Sequence, residues 1–212
     1  MSFTRGNIVW GDVETDGLIG HKGHLLEIAI LVTDADLNVL DEEGFHAVVR
    51  YSRGQKAAMI LNATPYVAQM HAETGLWDKL DSDESLSLAL IDLRLVEYLS
   101  HFGAAGTMPF GGNSVKLDLE FIREHLPLTH GYLDYHMRDV STVAGFANDW
   151  FDLPWFEKHN DHTAMTDIRE SIREIKHYRD TVFQTAGVVS ETRRLRAENA
   201  ELKALLGQKG TP

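Results

Sequence analysis

Three apolar segments near the amino terminus have the composition of β-strands. They cover residues 8–10, 25–32 and 45–51. A turn at residues 34–38 follows the second segment, and residues 39–40 begin another strand after it. Because short turns join consecutive strands here, the pattern predicts an antiparallel meander.

From residue 57 onward the apolar positions recur at helical spacing. The predicted helices cover residues 57–70 with a new start at Pro65, then 85–102, 117–126, 141–150 and a long segment after residue 162. In the helix at 85–102 the apolar positions are 86, 90, 93, 96 and 99, which predict one amphipathic face. Ser141 and Thr142 are expected to cap the helix that follows them.

Two short strands, at residues 108–112 and 137–140, lie between these helices. Strands that first form a meander and then alternate with helices predict a mixed sheet flanked by helices. The predicted fold class is therefore α/β, with antiparallel strands first and parallel strands after them.

The composition of the chain limits the classes of protein to which it can belong. The 212 residues are 43% hydrophobic and 25% charged, which is ordinary for a globular domain. No apolar run reaches the roughly 20 residues that span a bilayer, and residues 1–6 lack the apolar core of a signal peptide. The absence of cysteine excludes disulfides and thiolate metal sites and favours a cytoplasmic location. A net charge of −12 argues against a broad basic surface for long nucleic acids.

The last 25 residues differ in composition from the rest. Residues 188–212 carry five Lys or Arg and three Glu, a net charge of +2, which leaves −14 for the remainder. Apolar or small polar residues recur there at spacings of four and three: Val188, Thr192, Leu195, Asn199, Leu202 and Leu206. This short heptad pattern fits a coiled coil and fits a solvated helix equally well. We expect a main domain at 1–186 and a helical tail at 187–212.

Two carboxylates follow the first strand. Asp12 and Glu14 are two residues apart, so on a strand they project from the same face. Side by side they repel each other, and a divalent cation with a preference for oxygen ligands relieves that repulsion. For such a pair taken alone, an acidic and solvated strand end is the commoner explanation.

Two more acids and a histidine fall at the ends of predicted elements. Asp118 follows a strand-to-helix turn, Asp167 lies in the first turns of the last helix, and His162 precedes it by five positions. Five positions separate two side chains by about 140° on one helix, so His162 reaches the site of Asp167 only from a loop or the first turn. Each residue taken singly is more often a helix-terminal acid or a surface histidine. Together they suit two-metal phosphoryl chemistry, with a neutral imidazole as the base.

Five motifs resemble those of the DEDDh 3′-to-5′ exonucleases, and of the oligoribonuclease family in particular. The resemblance covers residues 7–183. The motifs are Val9-Trp10-Gly11-Asp12-Val13-Glu14, Leu26-Glu27-Ile28-Ala29, Gly112-Asn113-Ser114-Val115, Asp139-Val140-Ser141-Thr142 and the segment from His162 to Ser171.

The resemblance implies an RNase H-like fold, a homodimer, two Mg²⁺ or Mn²⁺ ions, and short single-stranded oligoribonucleotides as substrates. By the same resemblance, Asp12, Glu14, Asp118 and Asp167 are the metal-binding and catalytic acids, and His162 is the general base.

Four further residues match substrate-binding positions or lie near them. Leu18 matches a residue that packs on a base, His71 one that meets the 5′ phosphate, and Tyr135 one lent to the neighbouring subunit. Leu18 and Tyr135 fit core packing equally well, and His71 fits a surface histidine. Ser114 either contacts substrate or forms the turn after the glycines.

Two other functions remain open from the sequence. The residues 15–18, Thr-Asp-Gly-Leu, are closer to proofreading exonucleases than to oligoribonucleases, which leaves a DNA 3′-to-5′ exonuclease of the same superfamily open as the alternative. A non-catalytic binding module acting through its tail is the third hypothesis, and it requires an incomplete acidic set.

Overall fold

The computed structural model describes residues 6–151, 153–157, 163–183 and 194–195. Residues 1–175 form one compact unit and residues 176–212 form a second one. His162 lies outside the described residues, as do the predicted boundary at 186–187 and all of the heptad positions except Leu195, which is exposed. The division into domains and the coiled coil stay predictions.

Five strands and eight helices follow one another in the described residues. The strands are β1 Ile8–Thr15, β2 Leu25–Thr33, β3 Phe45–Val48, β4 Pro109–Gly112 and β5 Asp134–Asp139. The helices are α1 Arg53–Asn62, α2 Pro65–Glu73, α3 Leu76–Lys79, α4 Leu88–Ser100, α5 Lys116–His125, α6 Pro127–Tyr132, α7 Val140–Phe151 and α8 Ala164–Thr181. None of these helices is both long and apolar enough to cross a membrane.

The strands form one mixed sheet in the order β3-β2-β1-β4-β5. β1 and β2 pair antiparallel, as do β2 and β3, whereas β4 runs parallel to β1 and β5 runs parallel to β4. The predicted α/β fold, with a meander followed by parallel strands, is confirmed. β1 is the central strand, and its second half contains Asp12 and Glu14, so these two acids lie at the middle of the sheet.

The core lies on both sides of β1 and β2. Every residue of β2 is buried, and Trp10 of β1 is 1% exposed, with its indole Nε1 donating to Thr33 Oγ1 at 2.9 Å. Burial of a whole strand needs cover on both faces, and helices such as α4 and α5 provide side chains for the core cluster.

The amphipathic face predicted for α4 is wrong in part. Leu99 is fully buried as predicted, but Leu90 and Leu93 are exposed, and the other fully buried apolar residues of the helix are Ile91 and Leu95. The buried positions are spaced by four, so they form one ridge that packs on the core. With leucine on several sides of the helix, the sequence alone does not identify the buried side.

Several predicted boundaries are also wrong. Residues 39–40 form no strand beyond an isolated bridge between Thr33 and Val39. β3 ends at Val48, and Val49 forms only an isolated bridge with Leu86, although its amide still donates to Leu26 O at 2.8 Å. β5 begins three residues earlier than predicted. Ser141 lies inside α7, and the cap is Asp139, whose Oδ1 accepts from the Ser141 amide at 2.9 Å.

Candidate active site

β1 carries the first two acids on one face. Asp12 lies opposite Ala29 of β2 and Glu14 lies opposite Glu27. Both side chains are half-buried, because they point away from the core residues Val9 and Val13.

The first turn of α8 brings a third acid to the same place. One carboxylate oxygen each from Asp12, Glu14 and Asp167 lie within 4.8 Å of one another. The Asp167 amide donates to Thr163 O at 3.0 Å, the first backbone hydrogen bond of the helix, so Asp167 lies in its first turn. Three oxygens at this separation fit a hard divalent cation, and the group is the metal-ligand cluster that emerges from the described residues.

Asp118 is anchored beside this cluster without belonging to it. It lies in the first turn of α5, is 7% exposed, and its Oδ1 accepts from the Val13 amide at 3.1 Å. Val13 separates Asp12 from Glu14 in the chain, so the hydrogen bond fixes α5 against the metal-ligand cluster. The turn before α5 contains Ser114 with a φ of 56°, a left-handed conformation that redirects the chain from β4 into the helix.

The acids oppose one another's ionisation. Burial raises the pKa of Asp12 well above its ordinary value, and the charges of Asp118, Glu14 and Asp167 act in the same direction. Burial and the neighbouring carboxylates raise the pKa of Glu14 from 4.5 to about 8. Burial raises the pKa of Asp118 to about 7, although the hydrogen bond from Val13 opposes that rise. A bound cation would offset this repulsion, so these residues fit a divalent metal.

A buried polar network joins the turn before α5 to α7 and α8. Asn113 Nδ2 donates to Ser171 Oγ at 2.8 Å and to Glu174 Oε2 at 3.1 Å, and Asn113 Oδ1 accepts from Ser141 Oγ at 3.0 Å. Ser171 Oγ in turn donates to the carbonyl of Asp167 at 2.9 Å. The network therefore links the backbone positions of Asp118 and Asp167 through side chains that sequence reasoning did not single out.

The residues predicted to bind substrate have different surroundings. Leu18 is 76% exposed and lines a cleft of 470 Å³ with residues that include Lys22 and Asn62. Ser114 donates its amide to Asp139 Oδ1 at 3.1 Å, and its hydroxyl is 3.2 Å from Ser141 Oγ. These positions are open to a ligand, and the predicted roles stay predictions.

His71 is 1% exposed and not on the surface. Its Nε2 donates to Thr15 O at 2.9 Å, and its Nδ1 is 4.0 Å from a carboxylate oxygen of Glu14. The ring packs edge-on against Trp77, and burial lowers its pKa. The imidazole therefore lies against the metal-ligand cluster as a largely neutral group.

Tyr135 lies on β5, at the edge of the sheet, and is 75% exposed. Its ring centroid is 3.9 Å from that of His136. An exposed tyrosine on an edge strand is not the core packing that the sequence also allowed, and it is available to a second molecule.

Two carboxylates near the site were missed as functional candidates. Glu27 is buried opposite Glu14, and Asp139 caps α7 while it accepts from Ser114. The signal for Glu27 was present, because it is a charged residue inside an otherwise apolar and fully buried strand. For Asp139 the signal was its position directly before a helix.

Comparison with known proteins agrees with this geometry. The family model described as an exonuclease (RNase_T) matches residues 9–175. An oligoribonuclease from Rhodococcus jostii is 39% identical over 183 residues, which cover 84% of this chain and 89% of the relative. One from Vibrio campbellii is 34% identical over 187 residues, 87% of this chain and 99% of the relative.

Solved structures match the fold at lower identity. Exonuclease I from Methylocaldum szegediense superposes with a TM-score of 0.64 at 17% identity, covering 84% of this chain. The chain spans only 41% of that enzyme's length, so the likeness concerns the fold alone. On its sequence relatives and its matching family model, the chain belongs to the oligoribonuclease family of the DEDDh exonuclease superfamily.

Proposed function

We propose that this protein is a metal-dependent 3′-to-5′ exoribonuclease that degrades short oligoribonucleotides to mononucleotides. The observation that carries the proposal is the convergence of Asp12, Glu14 and Asp167, with Asp118 held beside them by the Val13 amide. The relatives named oligoribonucleases support RNA as the substrate. The DNA-exonuclease alternative is not favoured, because its support from exonuclease I is a likeness of fold at 17% identity or less.

The four acids would hold two cations, Mg²⁺ or Mn²⁺. When bound, such cations polarise a phosphodiester and lower the pKa of a bound water. Asp12 and Glu14 approach from β1 and Asp167 from α8, so the cations would be held by residues of two elements. His162 would take the proton from the attacking water. Support for that role comes from the resemblance of the segment from His162 to Ser171 to the family's motif.

The charge of the chain favours short substrates. A net charge of −12 repels a long polyanion, whereas a dinucleotide carries little charge beyond the phosphates that the cations bind. We therefore expect weak binding of long strands and a preference for oligomers of a few nucleotides. A cytoplasmic location, where such fragments arise, stays a prediction.

Cleavage of labelled oligomers tests the proposal. RNA and DNA of about two to twenty nucleotides, labelled at the 5′ end, are incubated with Mg²⁺, Mn²⁺ or EDTA, for the wild type, His162→Ala and Asp167→Asn. Asp149→Asn, at an exposed acid on α7, is the matched control. We expect rapid loss of the shortest RNAs, abolished by EDTA and by both site variants. Faster trimming of long DNA, or full activity in Asp167→Asn, would contradict the proposal.

We further propose that the enzyme acts as a homodimer in which Tyr135 contributes to the neighbouring subunit's site. Its 75% exposure on the edge strand β5 supports this, as does the half-exposed Met137 on the same strand. Mixing two inactive variants, Tyr135→Ala and Asp12→Asn, tests it. In a mixed dimer one site keeps its acids and receives an intact tyrosine, so an equal mixture should recover about a quarter of wild-type activity. A monomer by light scattering, or no recovery, would refute the shared site.

A further inference from the structure

The sheet face that carries the metal-ligand cluster continues across two more strands. Glu27 of β2 lies directly opposite Glu14, and Ala29 of β2 lies opposite both Asp12 and His46 of β3. Residues paired across an antiparallel ladder share a face, and so do residues two apart on one strand. Glu27 and His46 therefore lie on the same face as Asp12 and Glu14.

Glu27 is the unusual member of this face. It is 8% exposed within a strand whose residues are all buried, and a like charge faces it from Glu14. Like charges directly opposite each other destabilise a sheet. Of the neighbouring charges, that of Glu27 makes the largest contribution to the raised pKa of Glu14. The carboxylate of Glu27 is thus close enough to influence the metal-ligand cluster electrostatically.

His46 is the hydrogen-bond partner of Glu27. Its Nε2 contacts Glu27 Oε1, and since a carboxylate only accepts, the imidazole donates. The histidine side chain is 45% exposed on the edge strand, whereas that of Glu27 is 10% exposed. A neutral imidazole with its hydrogen on Nε2 is sufficient for this bond, so the contact does not require a protonated ring.

Both residues border the metal-ligand cluster. Glu14, Glu27, His46 and Thr163 line a common cleft of 340 Å³. A carboxylate in such a cleft is a potential ligand for a divalent cation. Yet in the described residues the group of carboxylates that approach within 4.8 Å contains Asp12, Glu14 and Asp167, and Glu27 is outside it.

We propose that His46 is a positioning residue that holds Glu27 in its hydrogen bond and thereby keeps it from competing with Glu14 for the metal. The inference rests on the proposed metal-dependent function. Groups that hydrogen-bond to side chains at a metal site hold those side chains in one orientation, and their loss typically costs about 10- to 100-fold in metal affinity or activity. Without His46, the freed carboxylate of Glu27 turns toward the cation and withdraws it from the geometry that Glu14 and Asp167 define.

Mn²⁺ titration of the metal-free full-length chain tests this directly. Isothermal calorimetry with Mn²⁺ alone is run on the wild type, His46→Ala, His46→Gln, Glu27→Gln and the double variant His46→Ala/Glu27→Gln. Steady-state cleavage of a diribonucleotide is measured on the same proteins, with circular dichroism to show that each is folded. His46→Gln retains a donor of similar reach and is the conservative variant.

We expect His46→Ala to bind Mn²⁺ about tenfold more tightly, because the released carboxylate of Glu27 adds a charged ligand. The same variant should lose about tenfold in kcat with KM nearly unchanged. His46→Gln should behave like the wild type. In the Glu27→Gln background the additional His46→Ala change should alter neither quantity by more than about twofold, since no carboxylate remains to be released.

Unchanged Mn²⁺ binding in His46→Ala would overturn the inference while leaving the proposed function intact. An effect of the same size in the Glu27→Gln background would also overturn it, because His46 would then act through packing. A wild type that binds no Mn²⁺ and cleaves nothing would refute the proposed function itself, and the inference with it.

Discussion

The metal-free protein should lose stability as the pH rises through neutrality, and Glu14 should be a principal cause. In the folded chain the pKa of Glu14 is raised from 4.5 to about 8. Between these two values the folded state keeps a proton that the unfolded state has lost. Stability then falls with rising pH by about 1.4 kcal/mol per unit for each such group.

The size of the effect follows from the same shift. A rise from 4.5 to about 8 corresponds to about 5 kcal/mol if the site stays rigid and dry. The Glu14 side chain is 17% exposed, so water and relaxation reduce this to about 2–3 kcal/mol. Glu14→Gln removes the group that must ionise. At pH 8.5 without metal, this variant should therefore be about 2 kcal/mol more stable than the wild type, although we expect it to lose activity.

Urea unfolding at several pH values between 5.5 and 8.5, in EDTA and in excess Mg²⁺, tests both predictions. It measures how the free energy of unfolding depends on pH, and the difference in stability between the wild type and Glu14→Gln. In EDTA the free energy of unfolding should fall with pH more steeply for the wild type than for Glu14→Gln. In Mg²⁺ the wild-type dependence should reverse, since the cation binds the deprotonated acids and so binds better at higher pH. Parallel curves for the two proteins in EDTA would refute the argument that burial and mutual repulsion oppose ionisation of Glu14.

Three substitutions test the framework that positions the site. Asp92→Ala removes a buried carboxylate that accepts from the amides of Leu128 and Thr129 at 2.9 and 2.8 Å, and should lower the free energy of unfolding in urea by about 3 kcal/mol. Gly112→Ala would place a Cβ 2.9 Å from a backbone oxygen of β1, and should lower the melting temperature through about 2 kcal/mol of strain. Asn113→Ala breaks the bonds that link the turn before α5 to α8, and should reduce kcat about tenfold with an unchanged circular dichroism spectrum.

The sequence predicted those features of the site that are set within a single strand or helix. The alternation of a strand places Asp12 and Glu14 on the same face, and the structure has them there. The positions of Asp118 and Asp167 in the first turns of α5 and α8 also agree with the sequence pattern. These features depend on the period of a strand or the start of a helix, which neighbouring residues determine.

Predictions failed where several elements compete for the same core. Leu90 and Leu93 look as suitable for burial as Ile91 and Leu95, and only the packing of α4 on the sheet separates them. The sequence also allowed His71 to be a surface histidine, but it is buried, and its ring donates to the carbonyl of Thr15 at the end of β1. Such partners are 56 residues apart in the chain, so no local pattern indicates them.

The sequence by itself determined the α/β class of the sheet, the acids at the ends of β1 and at the starts of two helices, and the family. The hydrophobic period and the order of the motifs are properties of the sequence itself, so they can be recognised without knowledge of the folded structure. The tertiary structure alone decided that Asp118 is held by the Val13 amide while Asp167 joins Asp12 and Glu14. It also decided that His46 holds Glu27, because strand register, which sets which side chains face each other, forms only when the strands pair.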